Sequence, residues 1–235
     1  LALIKKKDDF IKKDLPDGFE KWLLDLVAIA TVADVKPLVD ENRMFVKYGL
    51  GVLAQTQRLG LQELMKKAQL NPQVLKHSVD GEPPLTNLDG YTLAYILGPR
   101  INAAGRIDHA DIAFKLLITE DKNEAASLAG LIEQRNQERQ NLVEKIMKEL
   151  ENRISKKVID YVIFEGSPDW PAGILGLVAS KLVEKYHRPT FIFQEREDLI
   201  YTSARSIAQF DLIQAIEDCA EFLEEFGGHR EAAGF

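Results

Sequence analysis

Three short stretches of this chain set hydrogen-bond donors among small residues. Residues 98–106 read "GPRINAAGR" and carry Arg100, Asn102 and Arg106. Residues 202–206, "TSARS", carry Ser203, Arg205 and Ser206. Residues 226–234, "FGGHREAAG", carry Gly227, Gly228, His229 and Arg230. Guanidinium and hydroxyl groups meet oxyanions through charge-assisted hydrogen bonds, and glycine lets a backbone come close to a ligand. That is the chemistry of phosphate or nucleotide binding. Taken singly, each stretch has an ordinary structural explanation. A glycine pair after a helix closes it, and an Arg-Ser strand end is commonly surface.

Asp34 is a different case. It stands in the small, apolar turn "TVADVKPL" (31–38). Such a carboxylate either caps the local backbone or serves as a hard-metal ligand. One carboxylate does not make a metal site, so its partners must come from elsewhere.

The elements that position these residues follow from periodicity. Residues 20–34 have apolar residues at helical spacing and end at the turn before Pro37. Residues 43–70 give two helices joined around Arg58-Leu59-Gly60, and 78–90 is turn chemistry. A short apolar helix, "YTLAYIL", precedes "GPRINAAGR", which reads as a loop. "ADIAFKLLI" is helical, and a long helix runs from Lys122 to Ile154 with Leu128, Ile132, Leu142, Ile146 and Leu150 on one face. Its charged side, "EQRNQERQNLVEK", reads as a solvated face of a connector.

After Lys157 the pattern changes to strands alternating with helices. "VIDYVIF" (158–164), "PTFIF" and "LIYTSARSI" read as strands; "AGILGLVASKLVEKY" and "LIQAIEDCAEFLEEF" read as helices. The fold class is α/β. The expected organisation is residues 1–120, a connecting helix at 121–156, and a small α/β domain at 157–235.

Bulk properties are those of a globular protein: 46% hydrophobic, 29% charged, 235 residues. The one cysteine, Cys219, forbids an internal disulfide and points to a reducing, cytoplasmic compartment. It reads as a small buried group on a helix. No stretch reaches the roughly 18 uncharged apolar residues of a membrane-crossing helix. Charges interrupt every apolar run of residues 1–19, so no signal peptide is expected there. A net charge of −7 argues against a surface that grips nucleic acid everywhere, and leaves room for a local basic groove. Both ends look cut, as expected of a piece from inside a longer protein.

The ordered set "VAIATVADVKPL…ENR", "GPRINAAGR", "GILGLVASKLVEKYHRPT", "SARS…FDL" and "FGGHREAAGF" resembles the RecJ-type single-strand exonucleases of the DHH phosphoesterase superfamily. The resemblance runs from about residue 20 to the end. It implies that 1–120 is the C-terminal part of a DHH catalytic domain and that 157–235 is a truncated DHH-associated nucleic-acid-binding domain. It further implies a 5′-to-3′ exonuclease of DNA repair and recombination, with manganese or magnesium in a two-metal site.

Carried over by position, Asp34 matches a catalytic, metal-binding aspartate. Arg106, with Arg100 and Asn102, matches the arginine-bearing motif that contacts DNA. Ser203 and Arg205 match a pair that pockets the terminal 5′-phosphate, and Gly227, Gly228 and His229 match the "GGH" turn beside the cleft. The partners implied are single-stranded DNA with a 5′ end, a single-strand-binding protein and a helicase, with no membrane. The family's Asp-x-Asp motif, second aspartate and Asp-His-His triplet are absent, and are expected upstream of residue 1. Pro171 stands where many members carry a histidine after the tryptophan. An oligonucleotide-binding domain would follow Phe235. Two other readings stay open: an inactive single-strand-binding relative, and a phosphodiesterase of the superfamily acting on short oligonucleotides or cyclic dinucleotides.

Overall fold

The computed structural model describes residues 18–78, 81–107, 109–156 and 161–235; residues 158–160 of the expected strand lie outside these. The chain forms two compact units, one ending at Asn136 and one spanning Gln137–Phe235. No helix among the described residues is long and apolar enough to cross a membrane.

The first unit is helical. After a 3-10 turn at Phe19–Leu23 come α1 (Leu24–Ala33), α2 (Asp40–Leu53) and α3 (Leu59–Lys67). A small antiparallel pair, β1 (Val74–Lys76) and β2 (Leu85–Thr86), follows. A π-helical turn, Thr92–Leu97, runs into α4 (Gly98–Ile107), followed by α5 (Asp111–Ile118) and the start of α6 (Lys122–Ile154). Leu53, Leu64, Leu93, Leu97 and Ile132 belong to one buried core. Among the described residues of this unit, Asp25 is the more deeply buried of two buried acidic side chains, Glu63 being the other. Asp25 is 1% exposed, accepts from the Thr56 hydroxyl at 2.7 Å and pairs with Arg58 Nε at 3.2 Å. A carboxylate out of water needs those partners.

"GPRINAAGR" is therefore a helix, not the expected loop. Pro99 follows directly on the π-helical turn, inside a helical run unbroken from residue 90 to Ile107. Such a local irregularity is how a helix takes up a proline. A Cβ at Gly98 would stand 2.8 Å from the Leu93 carbonyl oxygen and 3.2 Å from the Ala33 Cβ. The small residues thus serve close packing: Ala103 and Ala104 are fully buried, and the start of α4 lies against the end of α1.

The second unit holds a five-stranded sheet of order β3-β4-β5-β7-β6. Its elements are the later part of α6, β3 (Ile163–Gly166), α7 (Ala172–Tyr186), β4 (Thr190–Arg196), β5 (Leu199–Arg205), α8 (Leu212–Glu217), β6 (Gly227–His229) and β7 (Ala232–Gly234). β3 and β4 are parallel, joined by the crossover α7; the other pairings are antiparallel. Val143, Ile146 and Leu150 of α6 are buried, and Trp170 donates to Glu149 Oε2 at 3.4 Å with Arg153 over its ring.

Two expectations change here. The helix expected over 212–226 stops at Glu217, with only a 3-10 turn at Ala220–Phe222 beyond it. Continuing it would stack Glu217, Glu221 and Glu225 at four-residue spacing, where like charges repel. Cys219 consequently lies outside the helix and is exposed rather than buried. "FGGHREAAG" is not a plain loop either. It is a β-hairpin, and Gly228 is required there, because a Cβ would stand 2.4 Å from the Ala232 carbonyl oxygen.

Candidate nucleic-acid interface

Side chains alternate between the two faces of a strand, so Ser203 and Arg205, two apart on β5, share one face. The register extends that face across four strands, β4, β5, β7 and β6. One row reads Ile192, Ser203, Gly234, Gly227, and the next reads Thr190, Arg205, Ala232, His229. Ser203 and Arg205 therefore stand two strands, about 10 Å, from Gly227 and His229 on the same surface. Gly228 falls on the row between, facing the other side.

The half-buried pair is mutually oriented. Arg205 Nη1 donates to Ser203 Oγ at 3.3 Å and to the Ala204 carbonyl at 2.8 Å. No side chain stands at Gly227 or Gly234 in Ser203's row, and a Cβ at Gly227 would meet nothing within 4 Å. Ser203, Gly227 and Gly234 line an open cleft of about 1010 Å³, together with Leu175, Tyr201 and Phe226. Asp198, Glu224 and Glu225 also line this cleft. Arg205 is not among its lining residues but is bonded to Ser203, which is. A hydroxyl paired with a guanidinium suits a phosphate group.

In the first unit, Asp34 follows the last residue of α1, its N–H bonded to the Ala30 carbonyl. Its carboxylate is exposed and pairs with Lys36 Nζ at 2.9 Å. Asn102 and Arg106 are exposed one turn apart on α4. Partial desolvation of the Arg106 guanidinium lowers its pKa, and it stays a cation because arginine starts so high. Arg100 differs from both. Its three guanidinium nitrogens are engaged by Glu133 and the Ile96 carbonyl, and its side chain is only 18% exposed.

For a divalent metal, the described residues supply little. Asp34 is one hard donor with a lysine beside it, and no group of three His, Cys, Asp or Glu side chains among the described residues could hold an ion. The described part of this chain does not fit a complete metal centre, and no reaction step is derived from one.

Two residues, one in each unit, had no role in the motif reading. Glu133 holds Arg100 from α6, and nothing in the local sequence pairs them across 33 positions. Gly176 of α7 lies directly against Ser203 and Arg205. It lies in the stretch "GILGLVASKLVEKYHRPT" that carried the resemblance, where a glycine inside an otherwise good helix was its own signal.

Residues 154–235 match the DHHA1 domain family. The chain is 40% identical over 224 residues to the single-stranded-DNA-specific exonuclease RecJ of Bacillus subtilis, covering 94% of this chain and 26% of that protein. The crystal structure of RecJ from Thermus thermophilus in complex with Mn2+ superposes with a TM-score of 0.79 at 31% identity, over 94% of this chain and 30% of that one. A second structure, exonuclease RecJ bound to manganese, gives a TM-score of 0.72 at 31% identity, with 94% and 51% covered. The chain thus spans about a quarter of the first relative's length. It carries a DHHA1 domain at residues 154–235, and over nine-tenths of its length it shares sequence and fold with a segment of the RecJ exonucleases.

Proposed function

We propose that this chain is part of a metal-dependent exonuclease that degrades single-stranded DNA from the 5′ end in repair and recombination. The observation that carries the reading is the shared surface of Ser203, Arg205, Gly227 and His229 beside an open cleft, inside a fold shared with RecJ. Residues 1–120 serve as the C-terminal part of a DHH catalytic domain, 121–156 as the connecting helix and 157–235 as the DHH-associated domain. Ser203 and Arg205 hold the terminal 5′-phosphate. Gly227 and His229 form the neighbouring wall, while Gly228 between them lies in the row of the opposite face and keeps the hairpin tight. Asn102 and Arg106 face the strand backbone, while Arg100, committed to Glu133, holds α4 in place.

Asp34 contributes one ligand to a manganese or magnesium centre, whose other ligands come from the part of the full-length protein outside these 235 residues. Such ions, when bound, supply an activated water and offset the charge developing on the phosphate. A single-strand-binding protein and a helicase that delivers unwound strand are the expected partners, in a reducing cytoplasm.

The test is digestion of end-labelled DNA by the full-length protein with manganese. Release of nucleotides from the 5′ end of single strands, stopped by chelator and absent on duplex, is the expected result. Tight binding without cutting would instead identify an inactive single-strand binder. Cleavage confined to short oligonucleotides or cyclic dinucleotides would identify a different phosphodiesterase.

A further inference from the structure

Gly176 occupies the second turn of α7, where glycine is a poorer helix former than alanine. A Cβ at that position would stand 2.7 Å from Arg205 Nη2, 2.9 Å from Ser203 Oγ and 3.3 Å from Arg205 Cζ. All three atoms belong to the side chains of the proposed phosphate pocket. None of them is backbone. The helix around Gly176 is regular, its carbonyl accepting the Ser180 hydroxyl at 2.9 Å.

These contacts decide what an added methyl would displace. Distances under 3 Å cannot persist, so either α7 retreats from the sheet or the two side chains move. Helix and sheet are each tied by many bonds, whereas the arginine guanidinium ends a flexible stem. The side chains give way. Nη2 is the nitrogen pressed by the methyl, and Nη1 of the same rigid plane holds Ser203 Oγ and the Ala204 carbonyl. Tilting the plane therefore disturbs both sides of the pocket at once.

We infer that Gly176 is a positioning residue: the missing side chain lets Ser203 and Arg205 lie against α7 as a pair set to receive a terminal phosphate. The inference rests on the reading of Ser203 and Arg205 as the 5′-end pocket. A terminal phosphate carries more charge and more acceptor oxygens than an internal diester. Misplacing the pair should thus penalise the phosphorylated end and spare the hydroxyl end.

The experiment uses the full-length protein with Gly176→Ala, Arg205→Ala and, as a helix-glycine control, Gly130→Ala, where a Cβ would meet nothing within 4 Å. Each is assayed on single strands bearing a 5′-phosphate or a 5′-hydroxyl, and each is melted thermally. For Gly176→Ala, KM for the phosphorylated strand should rise about tenfold, the size set by one charged hydrogen bond. Its kcat, its handling of the hydroxyl strand and its melting temperature should match or exceed the parent's. Gly130→Ala should keep the parental preference. If Gly176→Ala keeps the preference while Arg205→Ala loses it, the pocket stands and the role of Gly176 is wrong. If Arg205→Ala also keeps it, the pocket reading fails and the inference fails with it. A fall in melting temperature for Gly176→Ala would mean that α7 moved, which likewise overturns the inference.

Discussion

Arg100 grips Glu133 with two nitrogens, Nε at 2.6 Å from Oε2 and Nη2 at 3.3 Å from Oε1, while Nη1 donates to the Ile96 carbonyl at 2.8 Å. The pair ties the start of α4 to α6 within the first unit. Arg100→Ala should destabilise that unit by about 1–3 kcal/mol, because Glu133 loses its partner in a half-buried place. Arg100→Lys should recover only part, since an ammonium cannot make the forked contact. Chemical denaturation of both variants and of Arg100→Ala/Glu133→Ala gives the coupling; a coupling near zero would mean that the pair is incidental.

Arg205→Ala, in the full-length protein, should erase most of any preference for 5′-phosphorylated over 5′-hydroxyl strands. The loss corresponds to about 1.5–3 kcal/mol, or roughly tenfold to a hundredfold. Arg106→Ala should instead weaken both substrates alike and reduce the salt dependence of binding by about one phosphate contact. The ratio of kcat/KM for the two ends separates these roles.

Asp34→Ala should abolish cleavage by the full-length protein while largely sparing strand binding. Losing a direct ligand should cost more than the roughly 10- to 100-fold that follows loss of a supporting residue. Strand affinity comes mostly from basic and stacking contacts and should persist. Equal cleavage by mutant and parent at saturating manganese would remove Asp34 from the metal centre.

The 235-residue chain by itself should show no manganese-dependent nuclease activity. The described residues bring no three metal-ligating side chains together, whereas metal-assisted hydrolysis commonly uses two ions about 3.5–4 Å apart. Chelator-sensitive digestion of single strands by the purified chain would contradict this.

Asp89 gives a pH dependence whose sign is set by its bonds. Its Oδ1 accepts the Thr92 N–H and the Thr92 hydroxyl, both at 2.8 Å, and the Thr92 N–H does most to lower its pKa. The folded state thus favours the carboxylate. Its contribution is complete above the ordinary aspartate pKa of about 3.9 and is lost as pH falls through the lowered value. Asp89→Asn keeps the acceptor without the charge. The stability gap between parent and Asp89→Asn should therefore shrink below about pH 4, and a gap independent of pH would show that the charge contributes nothing.

Much of the scaffold was legible in the sequence. The apolar period of residues 122–154 marked one long helix, and α6 spans Lys122–Ile154. The β-branched and aromatic run in "LIYTSARSI" read as a strand, and β5 spans Leu199–Arg205. That Ser203 and Arg205 share a face follows from spacing alone, because a strand repeats every two residues. These are local properties, carried by the residues that show them.

What tertiary structure decided involves partners far apart in the chain. Glycine and proline in "GPRINAAGR" suggested a loop, yet the segment is helical because its small residues let α4 press on Ala33. Local propensity is worth at most about 1 kcal/mol per glycine, and close packing over a whole helix exceeds it. The acidic run after Glu217 carried a helical period but ends the helix, since its charges coincide on one side. The sequence by itself determined most of the elements and picked out the motif residues. Only the folded sheet put Gly227 and His229 in the rows of Ser203 and Arg205. Only packing against α7 gave Gly176 its neighbours, because register and interlayer contact are set by cross-chain distances that no local pattern encodes.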